Sequence, residues 1–216
     1  MKYFYSILIS SLTISFFLSD LRNKEVSHYL FPEFSDGVIL MRSGAKNTLS
    51  LNLNTLTEQM VFDSKGQKLA IAKKEMLIID TIYLQDRKFV VLNEKFVEAI
   101  HGSQWSLYKE YQSKLVENKP SGYGGPTETS SSASVTHMVG NGRLMELEIP
   151  DGYKVNSSSF YWLKRDGDLK RVSKMKDLKK LYPEKADLFK KYVKKNKVKY
   201  DNPESLIRLI DYMEAS

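Results

Sequence analysis

The sequence predicts an α+β protein: a predominantly antiparallel β body, meander or sandwich-like in arrangement, followed by two or three C-terminal helices. Three observations support this fold class. Short apolar runs alternate with polar residues as far as Val172, and turn-forming residues separate these runs. After Ser173 the apolar residues recur at helical spacing instead. The chain has 216 residues, of which 42% are hydrophobic, so it can bury a sizeable core without disulfides.

The first predicted strands lie between residues 37 and 115. Residues 49–54 alternate between leucine and a polar residue, which predicts a strand that buries its leucines and exposes Ser50, Asn52 and Asn54 to water. Similar runs separated by turns predict a meander, although the last two runs also suit a helix. The turn candidates are 42–45, 63–66 and 85–87, and the strand candidates are 60–62, 69–71, 76–84, 89–92, 96–100 and 105–115.

Residues 117–137 differ in composition from both flanking parts. They are rich in Gly, Ser, Thr and Pro and have no apolar period, so we expect a long surface loop between a strand-rich part at 20–116 and a second part at 138–216. Tyr123 lies among the glycines and is a candidate contact for a partner, with a plain connector as the alternative. The strand candidates of the second part are 145–149, 160–162 and 169–172, the last of them after an Asp166-Gly167 hairpin turn.

Three helix candidates end the chain. Ser173 is a suitable N-cap for the first, Pro183 is expected to open the second, and Asn202-Pro203 is expected to begin the third. Their apolar positions are Leu178, Leu181 and Tyr182, then Leu188, Phe189, Tyr192 and Val193, and finally Leu206, Ile207, Leu209, Ile210 and Met213.

The second of these helices carries a basic face. At about 100 degrees per residue its apolar residues share one side, whereas Lys190, Lys191, Lys194 and Lys195 lie outside it. Residues 164–199 contain fifteen Lys or Arg and five Asp or Glu, so the net charge of +7 is concentrated here. We interpret the four lysines as a candidate contact for an anionic partner, with a solubilising face as the alternative. Nucleic acid is not an expected partner, because the aromatic residues of this helix belong to its packing side.

The N-terminus predicts export. Lys2 precedes an uncharged, mostly apolar stretch at 3–18 and charge returns at Asp20, which is the layout of a signal peptide over residues 1–19. The stretch is shorter than the roughly 20 apolar residues of a spanning helix, so no stable membrane span is expected once the leader is removed. Because no A-x-A-like site precedes the charged residues, an uncleaved anchor is the alternative. The expected location is the periplasm, the cell envelope or the extracellular space.

No motif assigns catalytic chemistry. The chain has no cysteine, its three histidines are isolated, no G-x-S-x-G motif occurs, and the glycine-rich loop lacks the Lys-Ser/Thr of a phosphate loop. Glu146 and Glu148 would lie about 7 Å apart on one strand face, within the range of an inverting glycosidase, but alternation with apolar residues explains them as the water-facing side. We therefore predict no catalytic residue, metal or cofactor.

A set of segments spread over the chain resembles a known group of proteins. The segments are Tyr-Leu-Phe-Pro-Glu-Phe at 29–34, Leu-Asn-Leu-Asn at 51–54, residues 58–62, Asp-Thr-Ile at 80–82, Asp-Arg-Lys-Phe at 86–89, the loop at 123–130 and residues 176–183. They resemble exported proteins of unknown function from Bacteroidota-type bacteria. The resemblance implies a periplasmic or outer-envelope setting and brings no activity, cofactor or catalytic residue.

The expected function is a non-enzymatic binding or assembly module. Its partner would be an envelope protein or an anionic surface polymer, contacted through Tyr123 or through the four lysines of the basic face. A hydrolase acting on envelope glycan or peptide, with a site built from residues far apart in sequence, is the alternative. Converging carboxylates with perturbed pKa values in a concave pocket would favour the hydrolase.

Overall fold

The computed structural model describes residues 27–117, 139–140, 143–144, 149 and 152–216. Over these residues the chain forms twelve strands of a single antiparallel sheet and four helices, which confirms the predicted α+β fold class. Three of the four helices lie at the C-terminal end, as expected from the sequence.

The strands and helices have the following bounds. The strands are β1 (Ser35–Met41), β2 (Lys46–Asn54), β3 (Gln59–Ser64), β4 (Gln67–Ala70), β5 (Ile79–Leu84), β6 (Arg87–Leu92), β7 (Lys95–Gly102), β8 (Trp105–Glu117), β9 (Val139–Gly140), β10 (Arg143–Leu144), β11 (Tyr153–Arg165) and β12 (Asp168–Val172). The helices are α1 (Lys73–Met76), α2 (Met175–Lys180), α3 (Ala186–Asn196) and α4 (Pro203–Ala215).

The strand order follows from consecutive hairpins. Strands β2, β3 and β4 extend from one side of β1, while β5 to β8 extend from the other, giving the order β12-β11-β8-β7-β6-β5-β1-β2-β3-β4-β10-β9. Two-residue turns with positive φ at both positions join several of these hairpins, which matches the right-handed twist of the strands. The predicted Asp166-Gly167 turn is one of them, with φ of 50° and 84°.

The sheet curls so that the β2–β3 turn reaches β8. The backbone oxygen of Thr55 accepts a 2.8 Å hydrogen bond from Ser113 N–H, and the two side-chain hydroxyls also lie 2.8 Å apart. This curl encloses the N-terminal core. Its buried members are Phe31, Ile39, Leu51, Leu53, Met60, Ile71, Met76, Ile79, Ile82, Leu84, Phe89 and Phe96.

The prediction that the polar face of β2 meets water is wrong for two residues. Asn52 and Asn54 are 1% and 0% exposed. The segment preceding β1 covers this face: Asn52 Nδ2 donates to the backbone oxygen of Phe31 at 2.9 Å, and its Oδ1 accepts from Phe31 N–H at 3.1 Å. Asparagine is therefore buried here because it pairs with backbone that has no strand partner.

A second core lies between the C-terminal helices and strands β8, β11 and β12. It contains the predicted apolar positions of all three helices, some fully and some partly buried. Its buried members are Trp105, Leu107, Tyr161, Leu163, Val172, Leu178, Tyr182, Phe189, Leu206, Leu209, Ile210 and Met213.

Two predicted helix starts are wrong and one is confirmed. The N-cap of α2 is Lys174 rather than Ser173, whose backbone N–H instead donates a hydrogen bond to the side chain of Asp177. Pro183 lies in a turn before α3, because the Lys185 N–H bonds back to the oxygen of Tyr182 and helical structure begins only at Ala186. The third start is as predicted: the Asn202 side chain accepts from Ser205 N–H, and Pro203 is the first helical residue.

Several strand boundaries also differ from the prediction. The run at 76–84 begins as helix, since Met76 ends α1 and β5 starts at Ile79. Glu117, assigned to the loop at 117–137, is the last residue of β8, and the rest of that loop lies outside the described residues. The runs at 96–100 and 105–115 are strands. The two parts of the chain share one sheet, because β8 pairs with β11 along its whole length.

Candidate functional site

A polar row crosses the inner face of the sheet between the two cores. Glu98 of β7 is the register partner of Lys109 of β8, which in turn pairs with Tyr161 of β11. The flanking partners in the same row are apolar: Phe89 belongs to the N-terminal core and Val172 to the second core. The row therefore interrupts an otherwise apolar inner face with an acid, an amine and a phenol.

Lys109 lies between two tyrosine rings. Its Nζ is 4.9 Å from the ring centroid of Tyr111 and 6.0 Å from that of Tyr161. Burial lowers the pKa of Lys109; nearby Glu98 opposes this change and the charge of Arg87 adds to it. Among the described residues no carboxylate oxygen lies within 4.0 Å of this Nζ and no acceptor forms a hydrogen bond with it.

Glu98, the acid beside Lys109 in the polar row, already contacts Tyr111 and Arg87. Tyr111 donates its hydroxyl hydrogen to Glu98, and Arg87 contacts both groups, with its Nη1 at 3.1 Å from the Tyr111 oxygen and 3.7 Å from Glu98 Oε2. Burial raises the pKa of Tyr111, and the hydrogen bond to Glu98 raises it further. Tyr111 therefore remains a neutral donor at physiological pH. Glu98 is divided between two partners, neither of which is Lys109.

The third member of the row also lacks a partner. Tyr161 is 1% exposed, and its hydroxyl forms no hydrogen bond with any described residue. Tyr200 packs edge-on against it with ring centroids 5.2 Å apart, but donates its own hydroxyl to the backbone oxygen of Val172 at 2.7 Å. Burial raises the pKa of Tyr161 and also that of Tyr200, which reaches about 12.

An open groove of about 790 Å³ adjoins this polar row. The β5–β6 turn and β7 form one wall, and the connection from α3 to α4 forms the other. Glu98 and Asp201 line the groove and are the two acids whose charges oppose the lowering of the Lys109 pKa, whereas Lys109 itself is not a lining residue. The lining residues are Asp86, Arg87, Lys88, Glu98, Ala99, Ile100, Lys199, Asp201, Asn202, Pro203, Glu204 and Ile207.

A second polar cluster lies on the opposite face of β8. Glu110 is 2% exposed and accepts hydrogen bonds from Lys95 Nζ at 2.8 Å and from Trp162 Nε1 at 2.6 Å. Lys95 also pairs with Glu58 of the β2–β3 turn. Burial alone would raise the pKa of Glu110, but these two donors and the charge of Lys95 lower it. The cluster is satisfied internally and joins the turn to the sheet.

Helix α3 displays the predicted lysine face. Lys190, Lys191, Lys194 and Lys195 are all exposed, and the only ion pair that they form with described residues joins Lys190 to Asp187 at 3.0 Å. The opposite side of the helix packs on the second core through Leu188, Phe189, Tyr192 and Val193. The predicted placement of the four lysines outside the packing side of the helix is therefore confirmed.

The other candidates noted in the sequence do not form sites among the described residues. Tyr123, Glu146 and Glu148 lie outside them. His101 stacks on Trp105 at 4.1 Å and contacts Ser103. Within the part of the chain that is described, no three His, Cys, Asp or Glu side chains are placed to hold a metal ion.

Comparisons with known proteins add no family assignment. No protein-family model, curated protein sequence or solved structure matches this chain. Over the described ranges, no helix combines the length and the apolar character needed to cross a membrane.

The polar row was not predicted from the sequence. One pattern could have indicated it: Trp105, Leu107, Lys109 and Tyr111 share one face of β8, so a lysine occupies a position of apolar periodicity. The roles of Glu98 and Tyr161 depend on the register of three strands, which the sequence pattern does not fix.

Proposed function

We propose that this chain is an exported, non-enzymatic binding module of the cell envelope that contacts an anionic partner through the lysine face of α3. The observation that carries the proposal is the placement of Lys190, Lys191, Lys194 and Lys195 on the exposed side of a helix whose other side is fixed in the core. A rigid helix presents these charges together, which favours long-range attraction of an anionic surface. The predicted leader and the family resemblance support the envelope setting.

The shifted pKa values of the described carboxyl groups do not favour the hydrolase alternative. General acid catalysis needs a carboxyl group whose pKa is raised. Every described carboxyl group with a shifted pKa has it lowered, and in each case a lysine is the cause or part of it. These groups are Asp63, Glu94, Glu110 and Asp187.

The lysine face should produce weak, salt-sensitive binding. Exposed charges are screened beyond a Debye length of about 8 Å at physiological ionic strength. A partner must therefore approach several lysines closely, and its affinity should fall as salt is added. A polymer with repeated anionic groups fits this requirement, because it can contact several lysines in succession.

The test replaces all four lysines of the face by glutamate. Retention on an anionic envelope polymer is measured over a salt series for the parent and the variant, with circular dichroism to confirm folding. We expect the folded variant to lose retention at low salt, where the parent is held. A matched control changes four exposed lysines of the β body, Lys46, Lys74, Lys114 and Lys154, to glutamate.

The control separates a local effect from one of net charge. Both variants change the net charge by the same amount, so a loss confined to the α3 variant identifies that surface. Equal losses in the two variants, or full retention of the α3 variant, would contradict the proposal and leave the lysine face as a solubilising surface.

A further inference from the structure

A cavity of about 250 Å³ lies between the β2–β3 turn, helix α1 and the β6–β7 turn. Three buried members of the N-terminal core form its apolar part, namely Ile71, Met76 and Phe96. The charged lining residues are two lysines and two glutamates, so the lining carries no net charge. The polar and charged lining residues are Thr57, Glu58, Gln59, Lys73, Asn93, Glu94 and Lys95.

The charged residues of the lining pair with one another. Lys95 pairs with Glu58 of the β2–β3 turn. Lys73 Nζ lies 2.6 Å from Glu94 Oε2, and both of these side chains are mostly exposed. An ionic ligand would have to break one of these pairs or leave water without a counterion, which costs free energy. The lining therefore favours a neutral ligand.

Two lining side chains each have a buried atom without a hydrogen-bond partner. Thr57 Oγ1 and Gln59 Oε1 form no hydrogen bond with any described residue. Buried polar atoms nearly always have a partner. An amide oxygen only accepts hydrogen bonds, and a threonine hydroxyl accepts as well as donates. Because both residues line the cavity and are partly exposed, the missing partner is a hydrogen-bond donor that occupies the cavity.

The β2–β3 turn that carries these side chains is held firmly. Asn54 Oδ1 accepts hydrogen bonds from the backbone N–H groups of Leu56 and Thr57 at 3.0 and 3.1 Å. Glu58 has a φ of 57° and accepts a hydrogen bond from Gln112 Nε2 of β8. A site whose walls are ordered before the ligand arrives loses little free energy in ordering them on binding.

We propose that this cavity binds a small neutral ligand rich in hydroxyl groups, about the size of one sugar ring, which donates to Gln59 Oε1 and forms a hydrogen bond with Thr57 Oγ1. The volume of about 250 Å³ is below the roughly 300–1,000 Å³ of drug-sized sites, which limits the size of the ligand. The apolar part of the cavity packs against C–H groups of the ligand. The site is separate from the lysine face of α3 and does not depend on the function proposed for that face.

The direct test observes the Gln59 side-chain amide in the folded parent protein. Nitrogen-15 NMR spectra report each glutamine side chain separately, and the Gln59→Met variant identifies the resonance. Glucose, acetate and ammonium ions are added separately at an ionic strength kept constant with sodium chloride. We expect a saturable shift of the Gln59 resonance with glucose and a dissociation constant on the order of millimolar, because a ligand of this size with few hydrogen bonds binds weakly.

The three probes separate a neutral ligand from an ionic one. Glucose represents neutral ligands with several hydroxyl groups, acetate represents anions, and ammonium represents cations that donate hydrogen bonds. A saturable shift with glucose that neither ion matches supports the proposal. A saturable shift with either ion that is as strong as the one with glucose would overturn it. So would the absence of any saturable shift with glucose, or an equal shift at Gln67, an exposed glutamine of β4.

Substitutions that keep the side-chain size give a second measurement. Gln59→Met and Thr57→Val each remove one atom that lacks a partner, and each should weaken glucose binding about tenfold. Neither should lower the urea midpoint, because neither removes a side-chain hydrogen bond with a described residue. The matched controls are Gln67→Met and Thr48→Val, which make the same changes at exposed positions and should leave binding unchanged.

The combination of weaker binding and unchanged stability distinguishes a binding role from a structural one. If both cavity variants bind glucose as tightly as the parent does, the proposal is refuted. If they lose stability relative to their controls, Thr57 and Gln59 already have partners within the chain, and the proposal is refuted in that case as well.

Discussion

Replacing Lys95 by methionine tests whether the cluster around Glu110 stabilises the fold as its geometry indicates. The change removes the cation that bridges Glu110 and Glu58 while keeping most of the side-chain volume. Glu110, with its side chain 3% exposed, then keeps only the hydrogen bond from Trp162. A buried carboxylate without its counterion loses stability because its desolvation is no longer offset.

The expected magnitude follows from the exposure of the two partners. Breaking a fully buried ion pair costs about 3–5 kcal/mol. The Lys95 side chain is 38% exposed, so solvent already screens part of the interaction, and we expect a loss of about 2 kcal/mol in the free energy of unfolding. Glu110→Gln should cost less, because the amide still accepts from Trp162 and Lys95 keeps Glu58.

The pH dependence of the free energy of unfolding is a second, independent test of the role of Lys95. In the parent the pKa of Glu110 is lowered, so its contribution to stability is present above the pKa of the unfolded chain and is lost as pH falls through the folded value. Without Lys95, burial dominates and the folded pKa of Glu110 rises above its ordinary range. The variant should then be most destabilised near pH 7 and should approach the parent as the carboxyl group takes up a proton.

Urea unfolding of the parent and the Lys95→Met variant at several pH values between 7 and 4 measures the loss in the free energy of unfolding and its dependence on pH. Lys73→Met is the matched control, since it breaks an ion pair to Glu94 in which both side chains are mostly exposed, and it should leave the urea midpoint unchanged. The reasoning would be refuted if Lys95→Met has no more effect than the control, or if its destabilisation does not shrink as pH falls.

Two further predictions concern the N-terminal part of the chain. Asn52→Ala should cost about 2 kcal/mol and speed hydrogen exchange of the Phe31 amide, because it leaves buried backbone groups unpaired; unchanged protection of that amide would contradict the role assigned to Asn52. Intact-mass analysis of the protein in the envelope fraction should show that residues 1–19 are removed; a product beginning at Met1 in the cytosol would contradict export, and a membrane-bound one would indicate an anchor.

The sequence predicted local structure where local chemistry decides it. The Asp166-Gly167 turn, the Asn202 cap and the two faces of α3 depend on residues within one or two turns of each other, and all three are confirmed. Asn52 and Asn54 were misassigned because the alternation of β2 does not reveal that another segment covers its polar face. Propensity and periodicity describe a strand, whereas burial of its second face depends on tertiary packing.

The two candidate sites differ in how far the sequence pattern could predict them, because the pattern does not contain the register of the strands. The lysine face was predicted from helical spacing, since a single helix determines it. The polar row brings together Glu98, Lys109 and Tyr161 from three strands, and a shift of one residue in either pairing would turn one of them to the other face. Only the observed register places an acid, an amine and a phenol side by side.

Lys109 and Glu110, which are consecutive residues of β8, differ in whether the fold provides partners for their charges. Glu110 points to one face and receives Lys95 and Trp162, whereas Lys109 points to the other and has aromatic rings but no acceptor. The fold thus supplies partners for one charge and leaves its half-buried neighbour without a counterion among the described residues. Replacing a half-buried cation without a counterion by methionine removes part of a desolvation cost, so Lys109→Met should raise the free energy of unfolding by up to about 1 kcal/mol. Methionine substitutions at Lys95 and Lys109 should therefore change stability in opposite directions. A loss of stability at Lys109 comparable to that at Lys95 would mean that the chain itself satisfies this amine.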